Sequence, residues 1–198
     1  MDQLIAGYRR FRAGHWLDHR EHYEGLSERQ TPSVCVISCC DSRVDPVTIF
    51  DARPGELFVI RNVANLVPPY SVDDGLHGTS TAIEFAVRNL KVGAIMVLGH
   101  ARCGGVRAAI DAGPLADAAF LSQWISLLDD AKLRVGDDDA DALEHASIKV
   151  SLERLMTFPF VAEAVRAGRL SLVGARFSIF DGRLEILDPK TGEFSDAD

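Results

Sequence analysis

Short apolar runs, separated by longer stretches of mixed polarity, dominate the chain from residue 33 onward. Ser33-Val34-Cys35-Val36-Ile37-Ser38 follows Pro32, and Leu57-Phe58-Val59-Ile60 follows Pro54-Gly55. Both are compact, partly β-branched runs with little polar alternation, the pattern of strands buried on two faces. Ala94-Ile95-Met96-Val97-Leu98 and Leu170-Ser171-Leu172-Val173-Gly174 read the same way. Between these runs the apolar positions spread to helical spacing. A helix is predicted over 77–90, carried by Ile83, Phe85, Ala86, Val87 and Leu90. Another begins at Val106 and stops at Gly113-Pro114. Longer helices are predicted over 116–135 and 140–156, parted by Gly136-Asp137-Asp138-Asp139, and a short one over 160–167, ended by Gly168. Phe177-Ser178-Ile179-Phe180 and Leu184-Glu185-Ile186-Leu187 flank Asp181-Gly182, a hairpin signal. Residues 2–24 read as an amphipathic helix, with Leu4, Ile5, Tyr8, Phe11, Trp16 and Leu17 set among Arg, His and Glu.

Apolar strands alternating with helices predict an α/β fold: a mainly parallel β-sheet flanked by helices on both faces. A helical N-terminal arm over 1–30 precedes the core over 31–198, and an antiparallel hairpin forms the C-terminal edge of the sheet. The 198 residues suit one domain that buries its core without disulfides. In such sheets, chemistry sits beyond the carboxyl ends of the strands, near the point where strand order reverses.

Composition narrows the class. Acidic residues outnumber basic ones 29 to 21, for a formal charge of −8, which argues against a nucleic-acid phosphate binder. No apolar run approaches the roughly 20 residues of a membrane helix, and Met1-Asp2-Gln3-Leu4-Ile5 lacks the basic start of a signal peptide. A soluble, cytoplasmic protein is expected, with no nucleic-acid or membrane partner. The four cysteines are Cys35, Cys39, Cys40 and Cys103, three of them within six residues. In a reducing compartment such cysteines near a histidine are metal ligands or catalytic groups more often than disulfides.

Two strand ends carry the candidate chemistry. The first runs into Cys39-Cys40-Asp41-Ser42-Arg43 and the third into His100-Ala101-Arg102-Cys103-Gly104-Gly105. Zinc accepts thiolate and imidazole in tetrahedral geometry, so Cys39, His100 and Cys103 suit one ion, with water or Asp41 in the fourth position. Three protein ligands and an open position mark a catalytic site. Adjacent residues of an extended chain point to opposite sides, so Cys40 is not expected to ligate beside Cys39. Cys35 and Cys40 read as small buried residues.

Cys39-x-Asp41-x-Arg43 followed by His100-x-x-Cys103-Gly104-Gly105 resembles the beta-class carbonic anhydrases. Pro54-Gly55-Glu56-Leu57-Phe58, Arg61-Asn62-Val63-Ala64-Asn65 and Leu66-Val67-Pro68-Pro69-Tyr70 add to the resemblance, which runs from about Gln30 to Asp181. It implies reversible hydration of carbon dioxide to bicarbonate and a proton by attack of zinc-bound hydroxide, with one Zn²⁺ per subunit on Cys39, His100 and Cys103. It implies an Asp41–Arg43 pair beside the metal, and a substrate pocket that includes Gln30, Phe58, Phe85 and Gly104. It also implies a dimer or tetramer with pockets shared between subunits. Two thiolates cancel the charge of the metal, so activity is expected to rise into the alkaline range.

Some bacterial members hold bicarbonate in a closed site, with Asp41 as fourth ligand. They carry a Trp three residues before the first zinc Cys and a Tyr on a late strand. Val36 and Phe177 stand at those positions, and only Arg61 matches the arginine of that pocket. The open form, with Asp41 paired to Arg43 and water on zinc, is therefore expected. The plant-type proton-relay positions are Phe85 and Asn89, neither of which relays protons, and His77 reads as a helix-start residue. Rival readings are a hydrolase of another small linear substrate such as carbon disulfide, a catalytically silent zinc-binding sensor, and a dithiol redox protein. The last lacks a Cys-x-x-Cys pair.

Overall fold

A computed structural model describes residues 1–73, 75–111 and 118–197. The predicted helix stop at Gly113-Pro114 and the predicted helix start at residue 116 lie outside the described residues. The chain divides into two compact units, Met1–Thr31 and Pro32–Asp198.

The first unit is helical but not one helix. α1 (Asp2–Ala13), α2 (His15–Asp18) and α3 (Arg20–Glu28) are broken at Gly14 and His19. None of the three helices buries a residue, and Leu4, Ile5, Tyr8, Phe11 and Leu17 are exposed.

The second unit is built on β1 (Val34–Cys39), β2 (Leu57–Asn62), β3 (Ala94–His100), β4 (Ser171–Phe177), β5 (Leu184–Leu187) and β6 (Phe194–Asp196). Their order in the sheet is β2-β1-β3-β4-β5-β6. The first four are parallel and the last two pair antiparallel, as the apolar runs predict. The chain goes outward from β1 to β2 and then returns to the other side of β1 as β3. Strand order therefore reverses between β1 and β3, and their carboxyl ends form the switch point.

Helices between the strands are α4 (Pro46–Ile49), α5 (Gly78–Glu84), α6 (Gly104–Asp111), α7 (Ala119–Ile125), α8 (Asp129–Val135), α9 (Ala140–Leu155) and α10 (Pro159–Arg166). Cys35 and Ile37 of β1 and Ile95 and Val97 of β3 pack with Ile83, Ile148, Leu155, Phe158 and Val161 from the helical layer. On the other face, Val36, Leu98 and Ala175 are buried, but Val34, Leu57, Met96, Leu184 and Ile186 are only half-buried. This face is less covered than the apolar runs predict.

α9 lies close against the sheet. A Cβ on Gly99 would sit 2.7 Å from Cδ1 of Ile148, and one on Gly174 would sit 2.9 Å from its Cγ2. Small residues on β3 and β4 thus let α9 approach the end of the sheet where the chemistry-bearing residues gather. Asp139 caps α9 by accepting hydrogen bonds from the N–H groups of Asp141 (2.9 Å) and Ala142 (3.1 Å).

Several elements differ from expectation. β4 runs on through Phe177, which pairs with His100 on one side and Leu184 on the other, so no separate strand begins at 177. The hairpin turn closes instead where Ser178 N–H donates to Arg183 (2.8 Å). The 77–90 helix is α5 continued by a wider turn over Phe85–Leu90, ended by Lys91 in the left-handed region. α4 and β6 were not expected, because four and three residues are too few to show a period.

Candidate metal centre

β1 ends on Cys39 and its neighbour β3 ends on His100. Cys103 follows after a turn in which Arg102 takes φ +57°, and it stands just before α6. The ligand atoms of Cys39, His100 and Cys103 all lie within 4.8 Å of one another, and all three residues are buried. No other such group occurs among the described residues.

The donor set fits zinc. His100 Nδ1 donates to the carbonyl of Ala101 at 2.9 Å, which leaves the lone pair on Nε2. That Nε2 is buried with no hydrogen-bond partner. An unpartnered imidazole nitrogen held beside two sulfurs is costly unless a ligand engages it. Two sulfurs and one imidazole nitrogen are the soft and borderline donors that zinc prefers.

The two sulfurs stand 4.0 Å apart and titrate as a pair. The first proton leaves readily from Cys39, because the Cys103 thiol hydrogen-bonds to its sulfur; burial opposes this, and His100 and the backbone of Asp41 and Ala64 assist. Cys103 is pushed up by the same hydrogen bond and by burial, since a second thiolate would face the first. The backbone of Gly105 and Val106, at the start of α6, works the other way on Cys103. Gly105 has no room for a side chain: a Cβ there would lie 2.8 Å from Cβ of Ala64. Ala64 itself has φ +62°, so the α6 start and the Val63–Asn65 turn fit closely beside the ligands.

Asp41 and Arg43 form a bidentate pair: Nε donates to Oδ1 (2.9 Å) and Nη2 to Oδ2 (2.7 Å). The Arg43 backbone N–H also donates to Oδ1 at 2.9 Å, and Nη2 reaches the carbonyl of Arg102 at 3.2 Å. The Arg43 guanidinium holds the Asp41 carboxyl well below the usual carboxylate range. The pair therefore ties the loop after β1 to the turn before Cys103.

Arg61 on β2 does a job that the sequence did not disclose. Its Nη2 donates to the carbonyls of Cys39 (2.8 Å), Asp41 (2.7 Å) and Val44 (3.0 Å), and Nε donates again to that of Cys39 (2.9 Å). The guanidinium is spent on clamping the 39–44 loop. The sequence signal was a charged residue closing an apolar strand.

A cavity of about 810 Å³ opens beside Cys40, lined by Asn62, Val63, His77, Thr79 and Trp124 among others. Cys40 is exposed there, against the expectation that it is buried; the strand ends at Cys39, so the next side chain leaves the sheet. Cys35 is fully buried, and burial pushes its thiol up to about 12. His77 precedes α5 and pairs with Asp73 at 2.8 Å.

The expected pocket residues come from separate elements of the chain. Gly104 opens α6, exposed, with open space where a Cβ would be. The rings of Phe58 and Phe85 lie 5.8 Å apart, with Phe85 exposed. Phe58 is in register with Cys35, whereas Asn62 is in register with Cys39. Four strand residues span about 13 Å, so Phe58 stands well away from the sulfurs of its own chain. Gln30 belongs to the first unit and is exposed.

The carbonic anhydrase family model matches residues 34–184. Beta carbonic anhydrase 5, chloroplastic, of Arabidopsis thaliana is 37% identical over 193 residues, which is 93% of this chain and 64% of that protein. The chain thus spans just under two thirds of that relative. A carbonic anhydrase of Synechocystis sp. is 32% identical over 203 residues, 98% of this chain and 73% of that protein. The solved beta-carbonic anhydrase CcaA superposes with a TM-score of 0.93 at 32% identity, covering all of this chain and 92% of that one. One of two tetrameric beta-carbonic anhydrases from Sordaria macrospora gives 0.79 at 26% identity, covering 98% of each chain. With the family model spanning β1 to β5 and the fold shared end to end with CcaA, this chain belongs to the carbonic anhydrase family, in its beta class.

Proposed function

We propose that the protein catalyses the reversible hydration of carbon dioxide to bicarbonate and a proton, with zinc held by Cys39, His100 and Cys103. The observation that carries the reading is the buried meeting of two sulfurs and an unpartnered imidazole nitrogen at the switch point of the sheet. When bound, zinc supplies a Lewis acid that makes a water deprotonate near neutral pH. The chain's own groups supply orientation. Ala101 fixes the His100 ring through Nδ1. Asp41, kept charged by Arg43, accepts a hydrogen bond from the attacking water and turns its lone pair toward the substrate carbon. We assign the start of α6, at Gly104, to a substrate oxygen, because a helix N-terminus favours negative charge.

The open form of the site is part of this proposal. Arg43 occupies both oxygens of Asp41, and Arg61 is committed to loop carbonyls rather than to a second bicarbonate. We also infer assembly into a dimer or tetramer. Apolar side chains exposed on the first unit, the half-buried sheet face, and an aromatic pair remote from its own chain's sulfurs support a second copy. Stopped-flow hydration with a pH indicator tests the function. Turnover should climb from about pH 6 to about pH 9, because a donor set with two thiolates draws less charge from the bound water. A flat profile over that range contradicts this account of the centre.

A further inference from the structure

A buried ion pair stands directly behind Cys103. Glu144, on the second turn of α9, is 3% exposed, and Arg176, on β4, is 7% exposed. One carboxylate oxygen of Glu144 accepts the backbone N–H of Cys103 at 3.0 Å. The other accepts Nε (3.0 Å) and Nη2 (2.8 Å) of Arg176. Arg176 also donates to Asp141 (2.8 Å) and Glu185 (2.9 Å), and Glu185 meets His145 at 3.2 Å.

Such a network is a poor way to gain stability. Apolar side chains of similar volume in place of a buried ion pair often leave a protein as stable or more so. Its position says more. Cys103 precedes α6, so its N–H has no carbonyl of that helix to bond, and the preceding Arg102 is in the left-handed region. Among the described residues, it is Glu144 that accepts this amide. The Ile148 contact with Gly99 and Gly174 seats α9 so that Glu144 reaches it. Arg176 donates twice to the far oxygen of Glu144, so the carboxylate is held with its other oxygen on the Cys103 amide.

We propose that Glu144, held by Arg176, is a positioning residue that sets the Cys103 sulfur for metal binding. The inference rests on the zinc reading of Cys39, His100 and Cys103. Its test measures the Zn²⁺ dissociation constant by competition with a chromophoric chelator, on wild type, E144Q, R176K and S147A. The Cys103 amide and the Arg176 guanidinium meet different oxygens of Glu144, and Gln replaces one of these acceptors with an NH2 donor. Outer hydrogen-bond partners of metal ligands are worth roughly 10–100-fold in affinity. E144Q should therefore bind Zn²⁺ about 10-fold or more weakly, with a wild-type far-UV circular dichroism spectrum and a shifted Co²⁺ absorption band. R176K should move the same way by less, and it carries the test if E144Q does not fold. S147A removes a hydroxyl that donates to the Glu144 carbonyl without touching its carboxylate, and should leave the affinity unchanged. Folded E144Q and R176K with wild-type affinity would overturn the positioning role while leaving the metal centre standing. Wild type that binds no Zn²⁺ would overturn the centre itself.

Discussion

Replacing Arg43 with alanine is expected to cut carbon dioxide hydration by about 100-fold or more while the metal stays bound. The guanidinium makes both side-chain hydrogen bonds that hold the Asp41 carboxylate. Without it, Asp41 is a free carboxylate beside an open metal position, and carboxylate oxygen is an accepted zinc ligand. The residue that orients the nucleophile would then displace it. Asp41→Asn should lose activity on a similar scale, since a positioned acid–base group contributes roughly 10²–10⁴-fold. The double variant should be little worse than either single one, because the two residues act as a unit. Arg43 lies at the surface and its pair adds little to folding, so the unfolding midpoint should barely move. The check is kcat/KM by stopped flow, with zinc per chain measured on the same samples. Activity within threefold of wild type in both single variants would remove the pair from the mechanism.

Cys103→Ser is expected to abolish stable zinc binding, with hydration activity lost in parallel. An alcohol is not deprotonated by this site as a thiol is, and the ion would be left with two good ligands. The loss should exceed the roughly 10–100-fold typical of an outer hydrogen-bond partner. Cys35→Ser provides the contrast. Cys35 is fully buried in the core beside Ile95 and Val97, so a hydroxyl there costs stability of about 1–3 kcal/mol by protein mutational precedent. It should nevertheless keep its zinc. Elemental analysis after gel filtration, with a denaturant midpoint for each variant, separates the two effects. A Cys103→Ser protein that retains one zinc per chain would show that the ligand set is wrong.

What could be read from the sequence follows from which forces act locally. The four parallel strands announced themselves as apolar runs with little polar alternation, such as Val34–Ile37, although one sheet face is only half-buried in this chain. The site was legible because Cys39 and His100 each close an apolar run that reads as a parallel strand, and the carboxyl ends of parallel strands share one side of the sheet. Groups whose partners are far away in sequence stayed hidden. Arg61 matched only the arginine of a closed-site pocket, and its actual partners are carbonyls of the loop after β1, which only folding brings within 3 Å. Arg176 was the detectable oddity: a charge inside the apolar run Leu172–Phe177 needs a buried carboxylate, yet nothing local says that Glu144 provides it. The first unit illustrates the limit of periodicity. Its apolar spacing continues through residues 2–24, but the helix breaks at Gly14 and again at His19, neither of which the spacing of apolar positions marks.

The central claim is that these three ligands make a working hydration centre, and it meets its most direct test in one measurement. The protein is stripped of metal with a chelator, reloaded with one equivalent of Zn²⁺, and followed by stopped-flow carbon dioxide hydration at each stage. The account predicts negligible catalysis in the stripped protein and activity that returns in proportion to zinc bound. Zinc-replete protein that hydrates carbon dioxide no faster than buffer would contradict it.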